Sequence, residues 1–171
     1  ITARAITIKA NDQTITYGGS ITTGTAQVTI SSGSLVSGDS LVGITLTPST
    51  TNYTTSGSIT PSAATIKDSN GTGNNVNTNY DITYTPGSLK INKAPLNISA
   101  YETTWISAGS YTRTNYSTGI NGETITLTYT PYNNAVGTYS YAPTNGNGKY
   151  ILTLNNNNYS ITSASNFTIT R

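Results

Sequence analysis

Residues 1–22, ITARAITIKANDQTITYGGSIT, can be laid on residues 91–112, INKAPLNISAYETTWISAGSYT, without a gap. Ile1 then meets Ile91, Ile6 meets Leu96, Ile8 meets Ile98 and Ala10 meets Ala100. Further on, Ile15 meets Trp105, Gly19 meets Gly109 and Ser20 meets Ser110. The middles agree too: VSGDS at 36–40 matches INGET at 120–124, and LTP at 46–48 matches YTP at 129–131. So do the ends, NYDITYTPGSLKINK at 79–93 with NYSITSASNFTITR at 158–171. Self-similarity on this scale means one structural plan used twice. The expected domains are residues 1–93 and 94–171.

The stretch GSLKINKAPLNISA, residues 87–100, marks where the copies meet. Leu89 and Ile91 occupy odd positions before the proline, and Leu96, Ile98 and Ala100 occupy even ones after it. Strand side chains alternate faces with a period of two, so the change of parity is a change of inward face. Lys93, Ala94 and Pro95 are therefore read as the inter-domain junction. Proline fixes φ and lacks a donor, which suits a strand start or an edge but not a central ladder. So short a connection leaves neighbouring units little freedom.

Charged residues make up only 8% of the chain, and the net charge of +2 is spread singly. A nucleic-acid partner needs clustered Lys and Arg, so that class is set aside. With no Cys and no His, thiolate chemistry, disulfides, Cys-based zinc sites and the commonest general base are all absent. No apolar run reaches the roughly 20 residues of a membrane helix, and no signal peptide is visible. Both ends read as cut from alternating segments. Thr and Tyr favour strands, while Asn, Gly and Ser favour turns. Period-2 runs predict strands over 6–10, 27–30, 41–46, 80–84 and 88–91 in the first copy. In the second they fall over 96–100, 124–129, 137–141, 149–154, 159–161 and 166–169. PSAATIKDSN at 61–70 is given one helical turn at most. The expected fold is all-β: two tandem antiparallel β-sandwich, Ig-like domains.

ITYGG at 15–19, SGD at 37–39, GTY at 137–139 and the junction stretch 79–100 resemble the MBG-type repeats of bacterial adhesins. These are mostly-β units found in long tandem arrays of secreted surface proteins. The resemblance covers the whole chain as two units. The second departs from it in having SAG where the first has YGG, and the first is longer by about a dozen residues. It implies an extracellular stalk or filament role, with neighbouring repeats or identical subunits as partners, and no catalytic residues.

The carboxylates Asp12, Asp39, Asp68, Asp81, Glu102 and Glu123 are read as turn or capping groups. Asp12 and Glu102, like Asp39 and Glu123, are repeat equivalents and not acid–base partners. The resemblance to adhesin stalks, which calcium often rigidifies, makes calcium the cofactor to consider. DSNGTGNN (68–75) offers one Asp plus amide and backbone oxygens, and no Asp-x-Asp or EF-hand spacing occurs. Lys9, Lys67, Lys90, Lys93 and Lys149 could enter Lys–Asn isopeptide bonds given a buried carboxyl group. Six Asn-x-Ser/Thr sequons, from Asn52 to Asn166, matter only in a glycosylating cell. Trp105, Tyr129 and Tyr139 are candidates for stacking on a glycan. Ile1, Ala3, Ile6, Ile8, Phe167 and Ile169 are candidates for strand donation between chains. The leading expectation is a non-catalytic, rigid spacer at the cell surface. A filament subunit polymerising by strand donation and a glycan-binding module are the alternatives.

Overall fold

The computed structural model describes residues 2–171. The chain divides into two compact units, Ile1–Asn92 and Lys93–Arg171. Among the described residues there are fifteen strands and no α-helix, so the protein is all-β.

The first unit contains β1 (Arg4–Ala10), β2 (Gln13–Thr16), β3 (Val28–Ser32), β4 (Ser40–Pro48), β5 (Thr54–Lys67), β6 (Tyr80–Thr85) and β7 (Gly87–Asn92). They form one sheet in the order β3-β1-β6 and another in the order β2-β7-β5-β4. The alternation in the sequence decides which side chains turn inward. Ile6, Ile8 and Ala10 of β1 meet Ile59, Ala64 and Ile66 of β5, with Leu89 and Ile91 of β7, in one buried cluster. β5 runs through Pro61 to Lys67 as strand, and the one helical turn allowed at most to 61–70 is confined to the end of that stretch. The reason is tertiary: β4 pairs along 59–67. Pairing with β7 ends at Ile59, before proline is reached. Only the 3-10 turn Ser69–Gly71 is helical in that stretch.

The second unit contains β8 (Ala94–Ile98), β9 (Tyr101–Thr104), β10 (Tyr111–Ser117), β11 (Thr124–Pro131), β12 (Gly137–Tyr141), β13 (Lys149–Leu154), β14 (Tyr159–Ala164) and β15 (Phe167–Thr170). Its sheets run β10-β11-β13-β12-β15-β9 and β14-β8. β12 and β13 together do the work of β5. β12 pairs with β15 as the start of β5 pairs with β7, and β13 pairs with β11 as its end pairs with β4. The excursion between them is rich in Gly and Asn. This core is aromatic, with Tyr111, Tyr129, Tyr139, Tyr150, Tyr159 and Phe167 all buried.

Two expectations need correction. The sheets are mixed and not purely antiparallel, because the first and last strands of each unit lie side by side in the same direction: β1 with β6, β2 with β7, β8 with β14 and β9 with β15. The ungapped match is also offset in space. Leu89 pairs with Gln13, but its repeat equivalent Phe167 pairs with Tyr101, two residues short of the Thr103 that the alignment gives. A two-residue slip keeps every side chain on its own face, so the core survives it.

Candidate functional site

The shared feature of both units is a pair of long strands, each bent once. β1 passes into β2 across Asn11 and Asp12, moving from one sheet to the other, and β6 passes into β7 at Pro86. The two bends lie beside one another. Asp12 Oδ1 accepts the Ser88 N–H at 2.7 Å. Gly87 fits so tightly that a Cβ there would come within 2.5 Å of the Ala10 carbonyl oxygen and 2.7 Å of that of Asn11. Parallel ladders then run over residues 4–9 against 80–85 and 13–16 against 89–92. In the second unit they run over 94–98 against 159–164, with a bulge at Ile161/Ser163, and 101–104 against 167–170.

A tyrosine opens the last parallel strand of each unit and is tied to a carboxylate. The Tyr80 hydroxyl donates to Asp39 Oδ2 at 2.5 Å and accepts the Val36 N–H at 2.9 Å. Its repeat equivalent Tyr159 donates to Glu123 Oε2 at 2.6 Å and lies 3.0 Å from Thr118 Oγ1. Each acidic residue closes a four-residue turn through its backbone, with Asp39 N–H bonded to Val36 O and Glu123 N–H to Ile120 O, both at 2.9 Å. Gly38 and Gly122 supply the left-handed φ values of 90° and 70° that such turns require. The two acidic residues thus sit in turns, as expected, but what their carboxylates accept is a tyrosine hydroxyl from a distant strand, a pairing with no local signature in the sequence. Hydrogen bonds to charged groups are worth about 1.5–3 kcal/mol. Tyr80→Phe or Tyr159→Phe should therefore lower the stability of its own unit by about 1–2 kcal/mol. A urea double-mutant cycle with Asp39→Asn or Glu123→Gln should return coupling of that order, and none between units.

The structure also places the other candidates. Ile6 and Ile8 lie on β1, between β3 and β6, and Phe167 and Ile169 lie on β15, between β12 and β9. All four are buried. β1 is paired over 4–9 on one side and 7–10 on the other, and β15 over 167–170 and 167–169, so Ile6, Ile8, Phe167 and Ile169 have ladder partners within their own unit. Ala3 is exposed ahead of β1, and Ile1 lies outside the described residues. At the junction, Lys93 alone separates β7 from β8. Ala94 N–H bonds to Asn158 O at 2.8 Å, and Pro95 is exposed on β8. β8 pairs only with β14, so an edge position without an N–H costs no ladder bond. Where β3 flanks β1 in the first unit, side chains take over in the second: Tyr116 Oη donates to Asn97 O at 3.1 Å and Arg113 Nη1 to Ser99 O at 3.3 Å.

Glycan stacking needs an open ring face, and Tyr129 and Tyr139 do not offer one. Their rings lie 5.0 and 6.3 Å from that of Phe167 in the core, with exposures of 0% and 4%. Trp105 is half exposed, its Nε1 donating to Asn134 O at 2.7 Å. In the 68–75 loop, Asp68 Oδ1 accepts the Asn74 N–H at 2.7 Å, which is turn chemistry. No cluster of three or more metal-ligating side chains occurs among the described residues. Lys93 Nζ donates to Asn157 Oδ1 at 2.6 Å, a solvent-facing contact and not the enclosed site that amide-bond formation requires.

The buried tyrosine hydroxyls carry consequences of their own. Among the described residues the buried Tyr129 hydroxyl has no partner at good hydrogen-bond geometry, the Arg113 guanidinium acting on it without closing a well-formed bond. Leaving a buried donor unsatisfied costs about 1–3 kcal/mol, so Tyr129→Phe should be neutral or raise the melting temperature. Burial pushes the Tyr150 hydroxyl up to about 12, helped by neighbouring Tyr129 and Tyr141. Burial likewise raises Tyr129, against a lowering pull from Arg113, and Tyr80, where the bond to Asp39 adds to the rise. A group harder to ionise in the fold than in the unfolded chain stabilises fully below its unfolded value, here about 10. That contribution drains away as pH climbs through the folded value. Stability should thus hold up to pH about 10 and fall towards 12, with tyrosinate absorbance lagging behind that of the urea-unfolded chain.

What the fold and this arrangement define is an all-β protein of two repeated units, each threaded by a parallel pair of bent strands. Comparison with protein-family models, with curated proteins and with solved structures finds no significant match.

Proposed function

We propose that this chain is a non-catalytic structural segment of a repetitive extracellular surface protein, a rigid spacer made of two Ig-like sandwich units. The observation that carries the reading is the direction of the strands. In each unit the first two strands run parallel beside the last two, so the chain enters at one end and leaves at the other. A unit built this way adds length to an array instead of folding it back. One residue, Lys93, separates β7 from β8, and a connection that short limits bending between units. The resemblance of the junction stretch to MBG-type adhesin repeats supplies the extracellular setting. Low charge and a surface dense in Thr, Ser and Asn suit a spacer that attracts no counter-charged partner.

Small-angle scattering of the purified chain, and of two copies joined through the same junction sequence, tests the proposal. The expected result is a monomer whose maximum dimension doubles with the second copy. A compact particle, or a distribution broad enough to require a free hinge at Lys93, overturns it. Surface labelling of intact source cells by an antibody to the chain checks the extracellular setting.

A further inference from the structure

We infer that the parallel strand pairs are the mechanical clamps of the two units, and that the second unit is the one that yields first. The inference rests on the spacer reading only for its biological use; the mechanics follow from the ladders. Pulling the chain by its two ends draws β1–β2 one way and β6–β7 the other. The ladder bonds lie across that axis, so residues 4–9 and 13–16 are loaded together against 80–85 and 89–92. Shear of this kind must break many bonds at once, whereas peeling breaks them in turn.

Both clamps carry a tyrosine–carboxylate bond where β6 or β14 starts, and two further features hold the first in register: the Asp12–Ser88 bond at the bends and β3 on the far side of β1. The second clamp is weaker. β8 against β14 is a two-stranded sheet, its register is broken by the bulge at Ile161/Ser163, and no strand flanks β8 on its other side. Forced unfolding is governed by the unfolding rate, so the unit with the interrupted ladder gives way at lower force. Its release would lengthen an array while the first unit stays folded.

Single-molecule pulling tests this. The chain has no cysteine, so handles can be placed at will. With cysteines added at the two termini, the first rupture should release the shorter unit, Lys93–Arg171, at about 3.4 Å per residue. The second rupture, releasing Ile1–Asn92, should need a clearly higher force. With handles at Thr16→Cys and Asn92→Cys, which face each other at one end of the ladder, the first unit is peeled instead, and its rupture force should drop several-fold. Thr14→Cys with Lys90→Cys, an exposed pair in the same ladder, gives the same geometry if Asn92→Cys impairs folding. Equal forces along the two axes, or the longer unit yielding first, overturn the inference. Neither result alters the scattering dimensions, so the spacer reading stands or falls separately.

Discussion

Phe167→Ala is expected to cost the second unit about 3–5 kcal/mol, the range for deleting a buried aromatic side chain. Phe167 is fully buried and its ring lies 5.0–6.3 Å from those of Tyr101, Tyr111, Tyr129, Tyr139 and Tyr150. No neighbour can collapse into the space it leaves, because those tyrosines are held by their own strands and several by their hydroxyls. Tyr139 donates to Ala135 O and Tyr150 to Ser165 O. A unit of this size has about 4–12 kcal/mol of stability in all, at 0.05–0.15 kcal/mol per residue, so the substitution removes much of it. Hydrogen exchange should show the amides of β11, β13 and β15 losing protection while those of β1 and β5 keep theirs. Uniform loss across both units would mean that they do not fold as separate bodies.

The second large effect belongs to Gly87→Ala. The added Cβ faces two backbone carbonyls, and neither can move aside without displacing the bend between β1 and β2. Overpacking usually costs about 1–3 kcal/mol, and a collision with backbone at both contacts puts this substitution at the upper end. The Asp12–Ser88 bond should fail with it. Gly146→Ala is the matched control, since the nearest atom to its new Cβ is a flexible Lys149 Cγ at 3.9 Å. Urea titration should shift the first transition for Gly87→Ala and leave Gly146→Ala within error of the parent.

Gly87 also shows why part of the site escaped sequence reading. PGSL reads as an ordinary turn, and nothing local reveals that the glycine must pass against the β1–β2 bend more than seventy residues away. Tyr80 and Asp39 are similar. Each could be placed in its repeat, and the equivalence of each with Tyr159 and Glu123 follows from alignment, but their mutual bond needs the fold. The strands missed by periodicity, β2, β5, β9 and β10, are short, polar or bulged. Ala63 and Asn115 take left-handed φ values of 50° and 55° within β5 and β10, and such kinks break the two-residue pattern. The N–H of Ala64, beside the first kink, is then met by the hydroxyl of Tyr84 at 2.9 Å, a partner on another strand.

By itself the sequence determined the all-β class, the existence of two copies, the inward face of the clearly alternating strands and the phase change at Lys93–Pro95. These are short-range matters, set by side-chain alternation and by proline's missing donor. Only the tertiary structure decided which strand lies beside which. It made the terminal strands parallel, gave each of them a ladder partner within its own unit, and turned Tyr129 and Tyr139 into core. Alternation states which face is buried but is silent about the neighbour across the hydrogen bonds, because any extended backbone presents the same donors and acceptors. That choice is made by packing the whole unit at once.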